Sequence, residues 1–219
     1  MKNIIALLFL FPLSLVAQQN GGEWHLGISG GPEVSAMTIQ NVDESSTAKY
    51  GFTSGLTIAY NINPKLTWQS GISFGIKNIN HTQSGLTFGS DIDPTTGFTG
   101  SSVLTRKIQL SDVEIPVQMK YFFFKQFYAR TGVGINFLNE KSVEGKINHS
   151  DGTISELLIK SLDSYINYSA TLGFGYMQPI GDKLNFNIEP FIKYYLRDNI
   201  IPITHLYNIG LNASLTLKL

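Results

Sequence analysis

The sequence predicts an all-β chain: an eight-stranded antiparallel up-and-down transmembrane β-barrel behind an N-terminal signal peptide. Three observations carry that prediction. First, Tyr207, Ile209, Leu211, Ala213, Leu215, Leu217 and Leu219 alternate with Asn208, Gly210, Asn212, Ser214, Thr216 and Lys218. Alternation this long marks a strand with two unlike faces, and its length suits the roughly 9–11 tilted residues that carry a strand across a bilayer. Second, the connections between strand candidates are alternately long and short, as in barrels with tight periplasmic turns and longer outer loops. Third, the aromatic residues of the apolar parity gather at strand ends.

Residues 1–17 read as a cleaved secretory signal. Lys2 gives a basic start, residues 4–16 form an apolar run too short to span as a helix, and Ala17-Gln18 offers a cleavage point. The barrel domain is then 18–219. The chain contains no cysteine, which excludes a lipid-anchored lipoprotein, disulfides and thiolate metal sites. After the signal no run of about eighteen apolar residues follows, so helical spans are excluded. Charged residues make up 15% of the chain, against roughly 25% in soluble proteins. The formal net charge is zero, which provides no electrostatic basis for binding nucleic acid.

The strand candidates follow in order. The first is 24–37, with a polar loop after it. The second (51–62) and third (66–79) are joined by the Asn63-Pro64-Lys65 turn. A long loop over 80–105 leads to the fourth (108–121), and a short 122–126 connection leads to the fifth (127–138). A loop over 139–162 precedes the sixth (165–176). The Pro179-Ile180-Gly181-Asp182 turn precedes the seventh (184–196), and a medium loop leads to the last. Pro32, Pro116 and Pro190 fall inside strands, where a closed barrel has no free edge for the missing donor. Local bulges are expected at them: mild irregularities at Pro116 and Pro190, past which the parity continues unbroken, and a register shift at Gly30-Gly31-Pro32.

Alternation alone does not say which face meets lipid, since a soluble barrel with an apolar interior alternates too. The polar face decides. It reads Gly51, Thr53, Gly55, Thr57, Ala59 in the second strand and Asn167, Ser169, Thr171, Gly173, Gly175 in the sixth. A water-facing exterior would carry many Lys and Glu, whereas small residues suit the crowded lumen of a narrow barrel. The opposite parity carries Trp24, Tyr60, Trp68, Tyr121, Phe127, Tyr176 and Phe186 at the short-turn ends. Phe52, Phe74, Phe137, Tyr168, Tyr194 and Tyr207 stand at the other ends. Two rings of aromatics around an aliphatic band match anchoring at headgroup level, with outer-membrane lipid as the surrounding medium.

Charged residues of the inner parity are Glu114, Lys120, Arg130, Glu189 and Lys193, beside Gln118 and Tyr128. In a narrow lumen these should pair into a structural ion-pair plug, because an unpaired buried charge is costly. A gated polar path or a proton-handling site is the sharper alternative.

Strand four carries Val113-Glu114-Ile115-Pro116-Val117 and then Lys120-Tyr121-Phe122. Strand five reads Phe127-Tyr128-Ala129-Arg130-Thr131-Gly132-Val133-Gly134. With the Ala-Gln signal end, these segments resemble the outer-membrane β-barrel domain proteins of Bacteroidota, the group that includes the PorT-like proteins. The resemblance spans essentially the whole mature chain. It implies an outer-membrane location, mostly members without an assigned activity, and, through PorT itself, envelope or secretion proteins as partners.

An outer-membrane lipid hydrolase or acyltransferase would need a His with a Ser and an acid. His25, His81, His149 and His205 form no His-x-Ser pair on a strand, and His149-Ser150-Asp151 reads as solvated loop. Asp91-x-Asp93-x-Thr95-x-Gly97 lacks the glycine and the glutamate of a calcium loop. The expectation is a non-enzymatic barrel with a structural or interaction role, its outer loops the binding surface, needing no cofactor or metal. A narrow channel for small or apolar solutes is the alternative, and a lipid-modifying enzyme a third reading.

Overall fold

The computed structural model describes residues 22–38, 43–86, 102–149, 152–159, 164–197 and 205–219. The proposed signal (1–17), the Asp91–Gly97 motif and Ser150-Asp151 lie outside these residues. The strands are β1 (Trp24–Thr38), β2 (Glu44–Asn63), β3 (Leu66–Leu86), β4 (Ser102–Phe122), β5 (Phe127–Asn148), β6 (Ile154–Ile159), β7 (Ser164–Ile180), β8 (Leu184–Tyr195) and β9 (His205–Lys218). All pairings are antiparallel between neighbours, and β1 pairs with both β2 and β9, so eight of the nine strands close on themselves. The ninth, β6, forms a hairpin on the far end of β5, with Val143 opposite Ile159 and Asn148 opposite Ile154.

The register sets the shape. From His25 the partners run through Ala59, Gln69, Gln118, Gly132, Thr171, Lys193 and Asn208, and return to β1 at Ser35. That displacement of ten residues around eight strands corresponds to a strand tilt of about 40°. A barrel this narrow is filled by its own side chains over much of its height.

The exterior is apolar. Leu26, Ile28, Leu56, Ile72, Ile115, Leu172, Ile192 and Leu211 are exposed, while the alternate positions His25, Thr57, Gln69, Glu114, Thr171, Lys193 and Asn208 are buried. Trp24 and Tyr60 pack at 4.8 Å, and Phe127 and Tyr176 at 5.1 Å, in the short-turn ring. The ring-to-ring stretches 52–60, 127–137, 168–176 and 186–194 have the roughly 9–11 residues needed to cross hydrocarbon on a tilt.

At the long-connection end the structure differs from the expected loops. β2 begins at Glu44, β3 runs on to Leu86, β4 starts at Ser102 and β5 continues to Asn148. Together with β6 they form a wall that rises beyond Phe52, Phe74 and Phe137. Polar residues on both faces, such as Glu44-Ser45-Ser46-Thr47, pair as strands there because water, not lipid, lies outside. On the β5–β6 hairpin, exposed Lys146 and Glu156 pair at 2.7 Å. Their hydrogen bond and mutual attraction raise the ammonium and lower the carboxyl.

The irregularity at Pro116 and Pro190 is mild, as their unbroken parity implies, and the register shift expected at Gly30-Gly31-Pro32 is absent. Pro32, Pro116 and Pro190 each keep a partner on one side: Phe52, Gly134 and Leu211. On the other side each ladder skips two pairs and resumes in unchanged register, as between Gly30↔Ala213 and Glu33↔Gly210. Equivalent gaps separate Ser70↔Val117 from Ser73↔Glu114, and Gly173↔Phe191 from Tyr176↔Ile188. A proline deletes only one donor, so the barrel gives up local ladder bonds without moving the strand. Among the described residues the register shifts lie elsewhere, between Ala48 and Phe52, Asn61 and Asn63, Gln83 and Leu86, and Gln109 and Leu110.

Candidate functional site

The lumen holds the chemistry-bearing side chains, and the inner face of β4 serves as a ruler along it: Lys120, Gln118, Pro116, Glu114, Asp112, Leu110 and Ile108 from the short-turn end upward. Buried residues at these heights form layers.

At the Gln118 layer, Arg130 and Glu189 form an ion pair at 2.5 Å, and Arg130 Nη1 donates to Gln118 Oε1 at 3.1 Å. At the next layer Lys193 pairs with Glu114. Ser73 Oγ and Ser169 Oγ donate to the two oxygens of the same carboxylate at 3.3 and 3.4 Å. Asn136 in turn donates to Ser169 Oγ at 2.9 Å. Four of the five charged residues named from the sequence are thus brought together in two adjacent pairs. Lys120 is not among them; its ammonium lies 4.7 Å from the Tyr128 ring centre.

The third layer was not anticipated. Lys77 Nζ stands 2.7 Å from Asp112 Oδ2 and 3.2 Å from Glu33 Oε1. Tyr195 donates its hydroxyl to Asp112 Oδ2 at 2.9 Å, and Asn208 donates to Glu33 Oε1 at 3.1 Å. Glu33 and Lys77 share the parity of Gly31 and Gly75, so a charge at an inward position was the available signal.

Above these charges Met37, Ile79, Ile108, Leu110, Leu138, Tyr195 and Leu206 form an apolar cluster, with Tyr165 packed against it. An apolar plug therefore crosses the lumen near the outer aromatic ring, with polar layers beneath it. His81, expected in a loop, is a buried residue of β3, its Nε2 3.2 Å from Glu44 Oε2. His149 Nε2 lies 3.0 Å from Ser155 Oγ at the β5–β6 hairpin.

Small residues make room for the large ones. A Cβ on Gly175 would stand 2.2 Å from the Tyr128 ring, and one on Gly134 would stand 2.4 Å from Glu114 Oε1. Gly175→Val is expected to lower stability by about 1–3 kcal/mol through overpacking, measured by urea unfolding in detergent. Adding Tyr128→Leu should restore part of the loss.

Among the described residues no group of three or more His, Cys, Asp and Glu is arranged to hold a metal ion, and no helix is long and apolar enough to cross a membrane. The layers can hold charge, exclude bulk water and fix the strands.

Comparison with protein families agrees with the fold. The family described as outer membrane protein beta-barrel domain matches residues 16–204. No curated protein sequence matches the chain. Among solved structures it is similar to Ail, the attachment invasion locus protein of Yersinia pestis: 13% identity, TM-score 0.42, covering 90% of this chain and 99% of that one. It is also similar to the outer membrane protein OprG of Pseudomonas aeruginosa: 11% identity, TM-score 0.42, covering 92% and 97%. Neisserial surface protein A is a third: 10% identity, TM-score 0.40, covering 89% and 97%. The chain belongs to the outer membrane protein beta-barrel domain family, and its setting is the outer membrane of a Gram-negative cell.

Proposed function

We propose that the chain is a PorT-like barrel of a Bacteroidota outer membrane, exported by a signal cleaved after residue 17. Its role is non-enzymatic, structural or interactive, with other envelope or secretion proteins as partners. The observation that carries this reading is the contrast between the two parts of the molecule. Three charged layers and the apolar plug occupy the lumen, and a void of about 60 Å³ lies among the charged pairs. Outside the membrane, by contrast, β2 to β6 continue as a hydrogen-bonded wall that presents surface to the surroundings. Function carried by loops on a rigid scaffold is the common arrangement.

Two experiments test it. Crosslinking in intact cells, with the 149–159 hairpin shortened in a parallel strain, should capture an envelope partner that the shortened variant loses. In planar bilayers the purified barrel should give no steady conductance. A stable conductance would instead support the narrow-channel reading, and altered lipid A in a deletion strain would support an enzyme.

A further inference from the structure

The short-turn end of the lumen is hollow. A cavity of about 570 Å³ opens there, between the β2–β3, β4–β5 and β7–β8 turns and the start of β1. Its volume falls within the roughly 300–1,000 Å³ of small-molecule sites. The cavity is blind: above it lie the charged layers with their 60 Å³ void and then the apolar plug.

Lys120 reaches this cavity from β4, and it is buried. Its ammonium has the Tyr128 ring for company and, among the described residues, no carboxylate at ion-pair distance. The nearby carboxylates are engaged: Glu189 by Arg130, Glu114 by Lys193, and Glu23 at the mouth by Lys218. Asp182 and exposed Lys125 line the rim from the β7–β8 and β4–β5 turns. The wall is preorganised. Thr67 Oγ1 donates to Asn61 Oδ1 at 2.7 Å, which leaves the Asn61 amide nitrogen 3.0 Å from His25 Nε2. Gln69 and Asn187 are buried wall residues with amides of their own. A partly desolvated cation beneath a ring of amides and hydroxyls suits an anion whose body also hydrogen-bonds.

We propose that this cavity is a periplasm-facing binding site for a small hydroxylated oxyanion. The oxyanion sits on Lys120, and the hydroxyls meet Asn61, Gln69 and Asn187. Phosphate and carboxylate heads share the required chemistry.

The test uses the mature barrel in lipid nanodiscs, titrated with glucose 6-phosphate, gluconate, inorganic phosphate and glucose, and followed by NMR shifts of lysine side chains and wall amides. Saturable shifts are expected with glucose 6-phosphate or gluconate, whichever head the site prefers, weaker ones with inorganic phosphate, and none with glucose. Lys120→Gln should weaken binding at least ten-fold, while Lys120→Arg retains it and Lys125→Gln alters it less. Where Lys120→Gln fails to give the folded gel band, Asn187→Leu provides the second variant and should weaken binding too. The proposal is overturned if no anion saturates at millimolar concentration, which would mean a water-filled void only. Glucose binding as well as glucose 6-phosphate, or a folded Lys120→Gln barrel with unchanged affinity, would overturn it as well.

Discussion

Replacing Lys77 with methionine should destabilise the folded barrel by about 3–5 kcal/mol, the usual cost of leaving a buried charge without its partner. Lys77 lies between Asp112 and Glu33 at 2.7 and 3.2 Å, and all three side chains are nearly inaccessible. Methionine keeps the apolar stem and removes the charge, so the loss falls on two carboxylates that have no water to turn to. Tyr195 and Asn208 still donate one hydrogen bond each, which is too little to replace a cation. Adding Asp112→Asn should recover part of the deficit. The measurement is urea unfolding in detergent, read by the shift of the unboiled band on a gel, with exposed Lys49→Met as the surface control.

The second large effect comes from the other face. Leu172 sits midway between the aromatic rings at Tyr168 and Tyr176 and is 48% exposed, while its neighbour Thr171 is 4% exposed. Leu172→Arg should cost about 2–4 kcal/mol when the barrel folds into bilayers, the penalty for arginine at the midplane of an outer-membrane strand. A barrel with water outside would tolerate the same change and gain solubility from it. Leu172→Phe, which keeps the face apolar, should refold like the parent chain.

Much of this was legible in the chain because hydrocarbon imposes a strong pattern. Where a strand crosses lipid, one face must be apolar and the other small or polar, so β7, β8 and β9 could be read nearly residue by residue. Outside the membrane that constraint lapses. Residues 44–50 and 139–148 are mostly polar in sequence, carry no clear alternation, and read as loop, although backbone pairing extends through them. The prolines were half legible: unbroken parity past Pro116 and Pro190 implied mild irregularity, and Pro116 keeps its place opposite Gly134 with a gap only toward β3, whereas the shift expected around Pro32 is absent.

The charged lumen was partly visible. Glu114, Arg130, Glu189 and Lys193 lie in stretches of clear parity, and their pairing follows from facing one another in a space with little water. Glu33 sits beside a glycine pair and a proline that obscured the parity of β1. Lys77 and Asp112 lie near the ends of the expected strands. The apolar plug was hidden altogether, because inward Leu110 and Leu138 alternate with other residues that are themselves apolar or neutral. Parity assigns an apolar residue to lipid by default. Only the closed register, which brings Met37, Ile79, Leu138 and Leu206 across from one another, shows that these side chains meet inside.

Which side chains touch lipid decides the orientation of the barrel wall, and NMR cross-relaxation between acyl chains and side-chain methyls measures that without altering the protein. For the barrel in nanodiscs, the methyls of Ile28, Leu172, Ile192 and Leu211 should cross-relax strongly with lipid tails, and those of Thr57 and Thr171 should not. Lipid contact at the threonines, water contact at Leu172, or a mature chain that is monomeric and soluble without detergent would contradict that orientation.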